Sequence, residues 1–173
     1  MDSIKEIIDQ FPNYSKDIKL NYSKILQENV LTEKQLYGII LVSALCAENA
    51  EISKAAKNQS LVVLSEEYIE AIYSAHAVMC MNTTYYKFVH LASDYDYSTI
   101  PANLRMIALN NSTIDKIDFE MFCLAVGIIK GCEKCINSHE KILRDKNVTT
   151  QEIQTIARIA SIITSINGIY INL

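Results

Sequence analysis

The stretch from Asp118 to Arg144 reads DFEMFCLAVGIIK, then Gly131, then CEKCINSHEKILR. Apolar residues recur at helical spacing in its first part, and a more polar helical pattern follows the glycine. Glycine is a strong interruption of a helical pattern. The stretch therefore predicts two consecutive helices, 118–130 and 132–144, separated by Gly131.

Helix-start signals recur along the rest of the chain, and no segment shows sustained alternation of apolar and polar residues. Capping-box pairs are Ser3 with Glu6, Thr32 with Gln35, and Thr149 with Glu152. Further helices are predicted before Pro12 and over 14–27, 33–47, 52–58, 66–91, 104–109 and 150–170. We therefore predict an all-α fold, with a surface connector over 93–103 and a turn at Asn110–Ser112.

Length and composition favour a single domain over residues 1–173. Glu33 and Glu120 each open an apolar helix, and apolar positions before Tyr86 resemble those before Tyr170. This faint repeat predicts two similar helical halves, 1–92 and 103–173, with chance similarity between apolar helices as the alternative. The first half lacks a counterpart of the cysteine pair described below.

The composition excludes several classes of protein. Half of the residues are apolar and 21% are charged, which is typical of a globular chain. A net charge of −4 argues against a protein built around nucleic acid. The first residues lack the basic flank and apolar run of a signal peptide, and no uncharged stretch is long enough to span a bilayer. We therefore expect a cytoplasmic protein with no nucleic-acid or membrane partner.

The richest chemistry lies in Cys132-Glu-Lys-Cys135, followed four residues later by His139. A thiol at a helix N-terminus is favoured as a thiolate by the unpaired amides and the helix dipole. Cys135 lies one turn from Cys132, within reach of a disulfide, and His139 shares a helix face with Cys135. The pattern suits thiol redox chemistry, in which peroxide cleavage leaves a sulfenic acid that condenses with the second thiol.

Three other interpretations of the motif stay open from spacing alone. A zinc site would need more ligands than two cysteines and one histidine, and no second ligand pair is evident. Buried structural thiols are the second alternative. The third, a thioredoxin fold, needs a βαβ context that the pattern lacks. The remaining cysteines, Cys46, Cys80 and Cys123, are predicted core thiols, whereas His76 and His90 are predicted structural or solvent-facing.

The chain resembles the alkylhydroperoxidase AhpD family, within the carboxymuconolactone decarboxylase-like superfamily. The family signature is a glutamate, eleven residues, and then Cys-x-x-Cys-x-x-x-His, which Glu120, Cys132, Cys135 and His139 match. Further matches lie along almost the whole chain: Tyr14, Asp17-Ile18-Lys19-Leu20-Asn21, Leu36, Gly38, Met79, Met81-Asn82, Leu104-Arg105-Met106, Phe119, Ala125-Val126 and Glu140.

The resemblance implies an all-helical antioxidant enzyme that reduces alkyl hydroperoxides weakly and recycles the peroxiredoxin AhpC. It implies that Cys135 becomes the sulfenic acid and forms a mixed disulfide with AhpC, while Cys132 donates a proton and closes the disulfide. Glu120 and His139 would form a proton relay through water. Electrons would come from dihydrolipoamide on a lipoylated dehydrogenase subunit, no cofactor or metal would be bound, and the chain would form a trimer.

Two features complicate this assignment. Family members often have a histidine just before the second cysteine, where this chain has Lys134. Either the proton relay has one member fewer in this chain, or the positive charge of Lys134 stabilises the thiolate instead. In one straight helix Glu120 would lie roughly 18 Å from Cys132, so a relay requires a break near Gly127 or Gly131. The alternative is that Glu120 only stabilises its helix N-terminus.

Two other functions are consistent with the sequence. The first is a protein disulfide reductase or redox-sensing module without significant peroxidase activity. The second is a lactone decarboxylase of the wider superfamily, a chemistry with no evident need for the cysteine pair.

Overall fold

The computed structural model describes residues 3–110 and 113–173. In these ranges the chain forms α-helices and short 3-10 turns without a strand, which confirms the predicted all-α class. Asn111 and Ser112, from the predicted turn, lie outside the described residues. The helices are α1 (Ile4–Asp9), α2 (Lys16–Ile25), α3 (Glu33–Cys46), α4 (Ala50–Ser60), α5 (Glu66–Leu91), α6 (Lys116–Lys130), α7 (Glu133–Asp145) and α8 (Thr150–Tyr170).

The helix starts predicted after Thr32 and Thr149 are confirmed by the cap geometry. The Thr32 and Thr149 hydroxyls each accept a hydrogen bond from the backbone of the third helical residue, whose side chain bonds back to the cap. Such reciprocal bonds satisfy amides that have no partner within the helix. The sequence therefore determines where α3 and α8 begin.

The helix predicted over 104–109 is largely wrong, because only the 3-10 turn Ile107–Leu109 forms there. Pro101 precedes this segment, and Asn103 adopts a left-handed backbone with φ 52°. The left-handed residue directly before Leu104 takes the chain out of a helical path, and only the last three residues of the segment form a helical turn. Residues 101–106 instead form an irregular connector that leads to α6.

Helix α6 is the central element, in contact with α3, α5, α7 and α8. Every residue from Asp118 to Gly127 is buried. Helix α3 approaches it closely, since a Cβ on Gly38 would overlap the Phe122 ring. A polar side chain between Asp118 and Gly127 is therefore largely enclosed by protein, which matters for Glu120.

Buried apolar residues from both predicted halves join one hydrophobic cluster. The division into halves at 1–92 and 103–173 stays a prediction. None of the helices in the described ranges is long and apolar enough to cross a membrane.

Candidate active site

The turn between α6 and α7 is built around Gly131. This residue has φ 63°, a left-handed conformation that glycine adopts without a Cβ clash. Its N–H donates to the carbonyl of Ile128, and the N–H of Cys132 donates to the carbonyl of Gly127, both at 3.1 Å. This Schellman pattern ends α6 and turns the chain so that α7 packs back along α6. Of the two break points considered, Gly131 is the one that the structure uses.

Cys132 is the N-cap of α7, as the sequence predicted. Its sulfur accepts a hydrogen bond from the backbone N–H of Cys135 at 3.3 Å. The two cysteines are joined by a disulfide with a Cα–Cα distance of 5.3 Å. Cys132 is 1% exposed and Cys135 5% exposed, so solvent has little access to this pair.

The fold-back of α7 brings Glu120 and His139 into contact. Oε2 of Glu120 lies 2.6 Å from Nδ1 of His139, and both side chains are at least nine-tenths buried. Oε1 of the same carboxylate lies 2.8 Å from Nζ of Lys116. Both carboxylate oxygens are therefore engaged. Glu120 does more than stabilise a helix start, because it lies in the second turn of α6 and bonds across to α7.

The charge state of Glu120 follows from these contacts. Burial alone raises the pKa of its carboxyl, but hydrogen bonds from His139 and Lys116 outweigh burial and bring the pKa below its ordinary value. Glu120 is thus a carboxylate at neutral pH and can only accept hydrogen bonds. Nδ1 of His139 must therefore carry a proton, which leaves Nε2 as the ring nitrogen available for proton exchange.

A cleft of about 380 Å³ opens beside this pair. Cys135 lies in its wall, whereas Cys132 is absent from the described residues that line it. The apolar part of the wall is Met79, Tyr86, Met106, Leu109 and Ile142. The polar part is Asn82, Asn110, Lys116, Glu120, Lys134, Ser138 and His139. A cleft that combines an apolar wall, one thiol and several polar groups is typical of a small-molecule site.

The sequence analysis missed Lys116 and Asn82. Lys116 ion-pairs with Glu120 and also donates a hydrogen bond to the carbonyl of Leu109 in the cleft wall. Its spacing of four residues before Glu120 could have revealed it. Asn82 was noted only as part of the match to the family, because its spacing from the cysteine pair in the sequence does not indicate a shared site.

Lys134 occupies the position where the family often has histidine. Its Nζ lies 4.6 Å from the centre of the Tyr86 ring, a cation–π contact at the rim of the cleft. The side chain is exposed, so Lys134 contributes positive charge near the opening.

The other cysteines divide into two kinds. Cys46 and Cys123 are buried, as predicted. The prediction of a core thiol is wrong for Cys80, which is half-buried and has its sulfur 3.3 Å from Nε2 of His76. Within the described residues, no three His, Cys, Asp or Glu side chains are grouped to hold a metal ion.

Comparison with known proteins gives consistent matches. The carboxymuconolactone decarboxylase family pattern matches residues 96–167. A protein of Brucella anthropi called alkyl hydroperoxide reductase AhpD is 43% identical over 164 residues, covering 95% of this chain and 94% of its own length. Proteins with the same name from Methylocella silvestris and Azorhizobium caulinodans are 42% and 40% identical over 163 residues. Each covers 94% of this chain, and the alignments span 92% and 90% of their lengths.

Proposed function

Since the chain belongs to the AhpD family of alkyl hydroperoxide reductases, we propose that it reduces alkyl hydroperoxides with Cys135 as the attacking thiol. The observation that carries this proposal is the placement of Cys135, and not Cys132, in the wall of the cleft. A hydroperoxide there would meet one sulfur, an apolar wall for its alkyl group, and the His139–Glu120 pair.

The first step transfers one oxygen to sulfur. In the reduced protein, His139 accepts the proton of the Cys135 thiol at Nε2, and Glu120 stabilises the resulting imidazolium through its bond to Nδ1. The thiolate attacks the terminal oxygen of the hydroperoxide, and the O–O bond breaks. Cys135 becomes a sulfenic acid, and the departing alkoxide takes a proton from His139 to leave as the alcohol.

The second step closes the disulfide. Cys132, one turn away at the N-cap, attacks the sulfenic sulfur and releases water. The Cα–Cα distance of 5.3 Å between the two cysteines suits this bond without backbone movement. The product is the Cys132–Cys135 disulfide and the site then needs two electrons to return to the dithiol.

Dihydrolipoamide is the electron donor that we propose. The lipoyl group is a slender aliphatic chain that ends in two thiols, and the apolar wall of the cleft suits such a chain. Thiol–disulfide exchange at Cys135 would release lipoamide and restore the dithiol. A lipoylated dehydrogenase subunit would carry the group, with no cofactor bound to this chain itself.

Regeneration of the peroxiredoxin AhpC is the second half of the proposal. A mixed disulfide would form at Cys135, the sulfur in the cleft wall. Because Cys135 is 5% exposed, the cysteine of AhpC must reach into the cleft. The trimer and the cytoplasmic location stay predictions.

The test combines the reduced protein, lipoamide, its dehydrogenase with NADH, and cumene hydroperoxide, with and without AhpC. We expect NADH oxidation that depends on hydroperoxide and on this protein, and that rises when AhpC is added. A single-turnover mixture of reduced protein and hydroperoxide should yield the Cys132–Cys135 disulfide.

The alternative function, a protein disulfide reductase or redox sensor, predicts a different pattern. The protein would exchange with disulfides but would form no Cys135 sulfenic acid in excess hydroperoxide. That outcome would contradict the peroxidase proposal and leave the thiol chemistry of the pair intact.

A further inference from the structure

Lys134 places a positive charge at the cleft that no acidic side chain of the described residues neutralises by an ion pair. Its side chain is exposed, and it is one of the residues that line the cleft. The carboxylate of the neighbouring Glu133 lies 3.3 Å from the His90 ring. The Lys134 ammonium lies 4.6 Å from the centre of the Tyr86 ring. Because an ammonium carries three N–H donors, this ring contact leaves donors free for an oxygen anion.

The other charged groups of the cleft are paired with one another. Lys116 and His139 hold the two oxygens of the Glu120 carboxylate, at 2.8 Å and 2.6 Å. Among the described residues that line the cleft, the permanently charged side chains are two lysines and one glutamate. The cleft therefore carries one positive charge in excess, that of Lys134, although the whole chain has a net charge of −4.

The cleft combines this charge with the reactive sulfur and an apolar wall. Lys134 directly precedes Cys135 in α7, and both residues line the same cleft. The apolar wall, which includes Met79 and Ile142, suits the hydrocarbon part of a substrate. A molecule that fits all three features has a hydroperoxy group, an apolar body and an anionic group.

We propose that this chain prefers hydroperoxides that carry a carboxylate, and that Lys134 binds this carboxylate. The inference rests on the proposed function and names a substrate class for the same cleft. The carboxylate takes no part in the bond changes at Cys135. Its ion pair with Lys134 is therefore equally strong before and during the reaction. Such uniform binding raises the rate at low substrate concentration and leaves the maximal rate unchanged.

The test compares two probes that differ in charge: cumene hydroperoxide with a carboxylate at the para position, and the methyl ester of the same compound. Stopped-flow oxidation of the reduced protein at low probe concentration gives a second-order rate constant without any electron donor. We expect this constant to be about fivefold higher for the carboxylate, the upper range for one solvent-screened ion pair. The preference should shrink as salt is added, because salt screens exposed charges.

Two variants of Lys134 change the charge at the cleft. Lys134→Met keeps an unbranched side chain without the ammonium, and the ratio of the two rate constants should fall to about one. Lys134→Glu should reverse the preference, so that the ester reacts faster than the carboxylate. Lys141→Met is the matched control on the same helix. Lys141 pairs with Asp145 at 2.8 Å and is not one of the described residues that line the cleft, so this variant should keep the ratio of the unchanged protein.

The outcomes separate the inference from the proposed function. Equal rate constants for the two probes in the unchanged protein overturn the inference, as does a preference that persists in Lys134→Met or that Lys141→Met also abolishes. A fall by the same factor for both probes in Lys134→Met overturns it too, because Lys134 would then act on the thiol or on the shape of the cleft. If neither probe forms the Cys132–Cys135 disulfide while iodoacetamide still alkylates Cys135, the proposed function itself fails.

Discussion

This protein has two pairs of a cysteine and a histidine in which the two residues are four positions apart on one helix. They are Cys135 with His139 on α7 and His76 with Cys80 on α5. In the second pair the sulfur lies 3.3 Å from Nε2 of the ring. In the first pair the imidazole bonds to the Glu120 carboxylate at 2.6 Å instead. Direct contact with a histidine is therefore not what distinguishes the candidate site.

The surroundings of the two pairs differ in three ways. Cys135 has a second thiol at the N-cap of its helix, a buried carboxylate behind its histidine, and a cleft in front of it. Cys80 lies within α5, where burial raises the pKa of its thiol and lowers the pKa of His76. Cys80 and His76 are consequently both neutral near pH 7. The contrast indicates that the second thiol, the buried carboxylate and the cleft make Cys135 reactive, and not the spacing of cysteine and histidine itself.

The largest effect is expected for Cys135→Ser. Hydroperoxide turnover should fall by at least about a thousandfold, because the attacking nucleophile is removed. Cys132→Ser should still form one sulfenic acid at Cys135, which dimedone would trap, but no disulfide. Coupled NADH oxidation measures the turnover, and mass spectrometry detects the trapped sulfenic acid and the disulfide.

Cys80→Ser is the control for these variants, and it should keep full turnover. Loss of activity in Cys80→Ser would show that the His76 pair takes part in catalysis. Near-normal turnover in Cys135→Ser would contradict the assignment of the attacking thiol.

The next effect is expected for Glu120→Gln, which keeps the shape but removes the charge behind His139. Turnover should fall by about a hundredfold, the usual contribution of a positioned proton-transfer group. The measurement is kcat/KM for hydroperoxide at neutral pH. Glu48→Gln is the matched control, since Glu48 lies near His76. The Glu48 side chain is 78% exposed and forms an ion pair with Lys130. Equal losses in both variants would contradict a specific role for Glu120.

A smaller effect is expected for Lys116→Met. The hydrogen bond from Lys116 helps to lower the pKa of Glu120, whereas burial raises it. Without Lys116 the carboxyl should protonate at higher pH, so the acid limb of the kcat/KM profile should move to higher pH. Near pH 7 the rate should fall by only about fivefold, because Lys116 is half-exposed and screened by solvent.

Lys141→Met supplies the comparison for that variant. Lys141 forms an ion pair of the same spacing with Asp145, at 2.8 Å, on the exposed face of α7. Its removal should move neither the rate nor the acid limb. An acid limb that stays in place in Lys116→Met would show that Lys116 does not support the charge of Glu120.

Much of the fold was predictable because its signals are local. The capping residues Thr32 and Thr149 and the interruption at Gly131 depend on neighbours within a few positions. The prediction of a helix over 104–109 was wrong because it rested on apolar spacing alone. That spacing carries no information on the backbone conformation of Pro101 and Asn103, which precede the segment.

The site was only partly predictable, for a related reason. Cys132, Cys135 and His139 stand within about two turns at the start of one helix, so spacing alone brings them together. Glu120 reaches His139 only because α7 folds back along α6, and Asn82 enters the cleft from α5. Such long-range contacts leave no periodic trace in a single sequence. The same limit explains why Cys80 was mistaken for a core thiol.

The smallest effect is expected for His76→Ala. This variant tests whether the pair of His76 and Cys80 is unreactive, in contrast to the pair of Cys135 and His139. Because Cys80 stays mostly protonated near pH 7, its alkylation by iodoacetamide should rise about tenfold per pH unit from pH 7 to 8.5, as the thiolate fraction does. A neutral imidazole does little to promote ionisation, so His76→Ala should leave this slope in place and change hydroperoxide turnover by less than about twofold. Peptide mapping after timed alkylation measures the first quantity. A flat profile in the unchanged protein would mean that Cys80 is already a thiolate held by His76, and the contrast between the two pairs would then rest on the cleft and the second thiol alone.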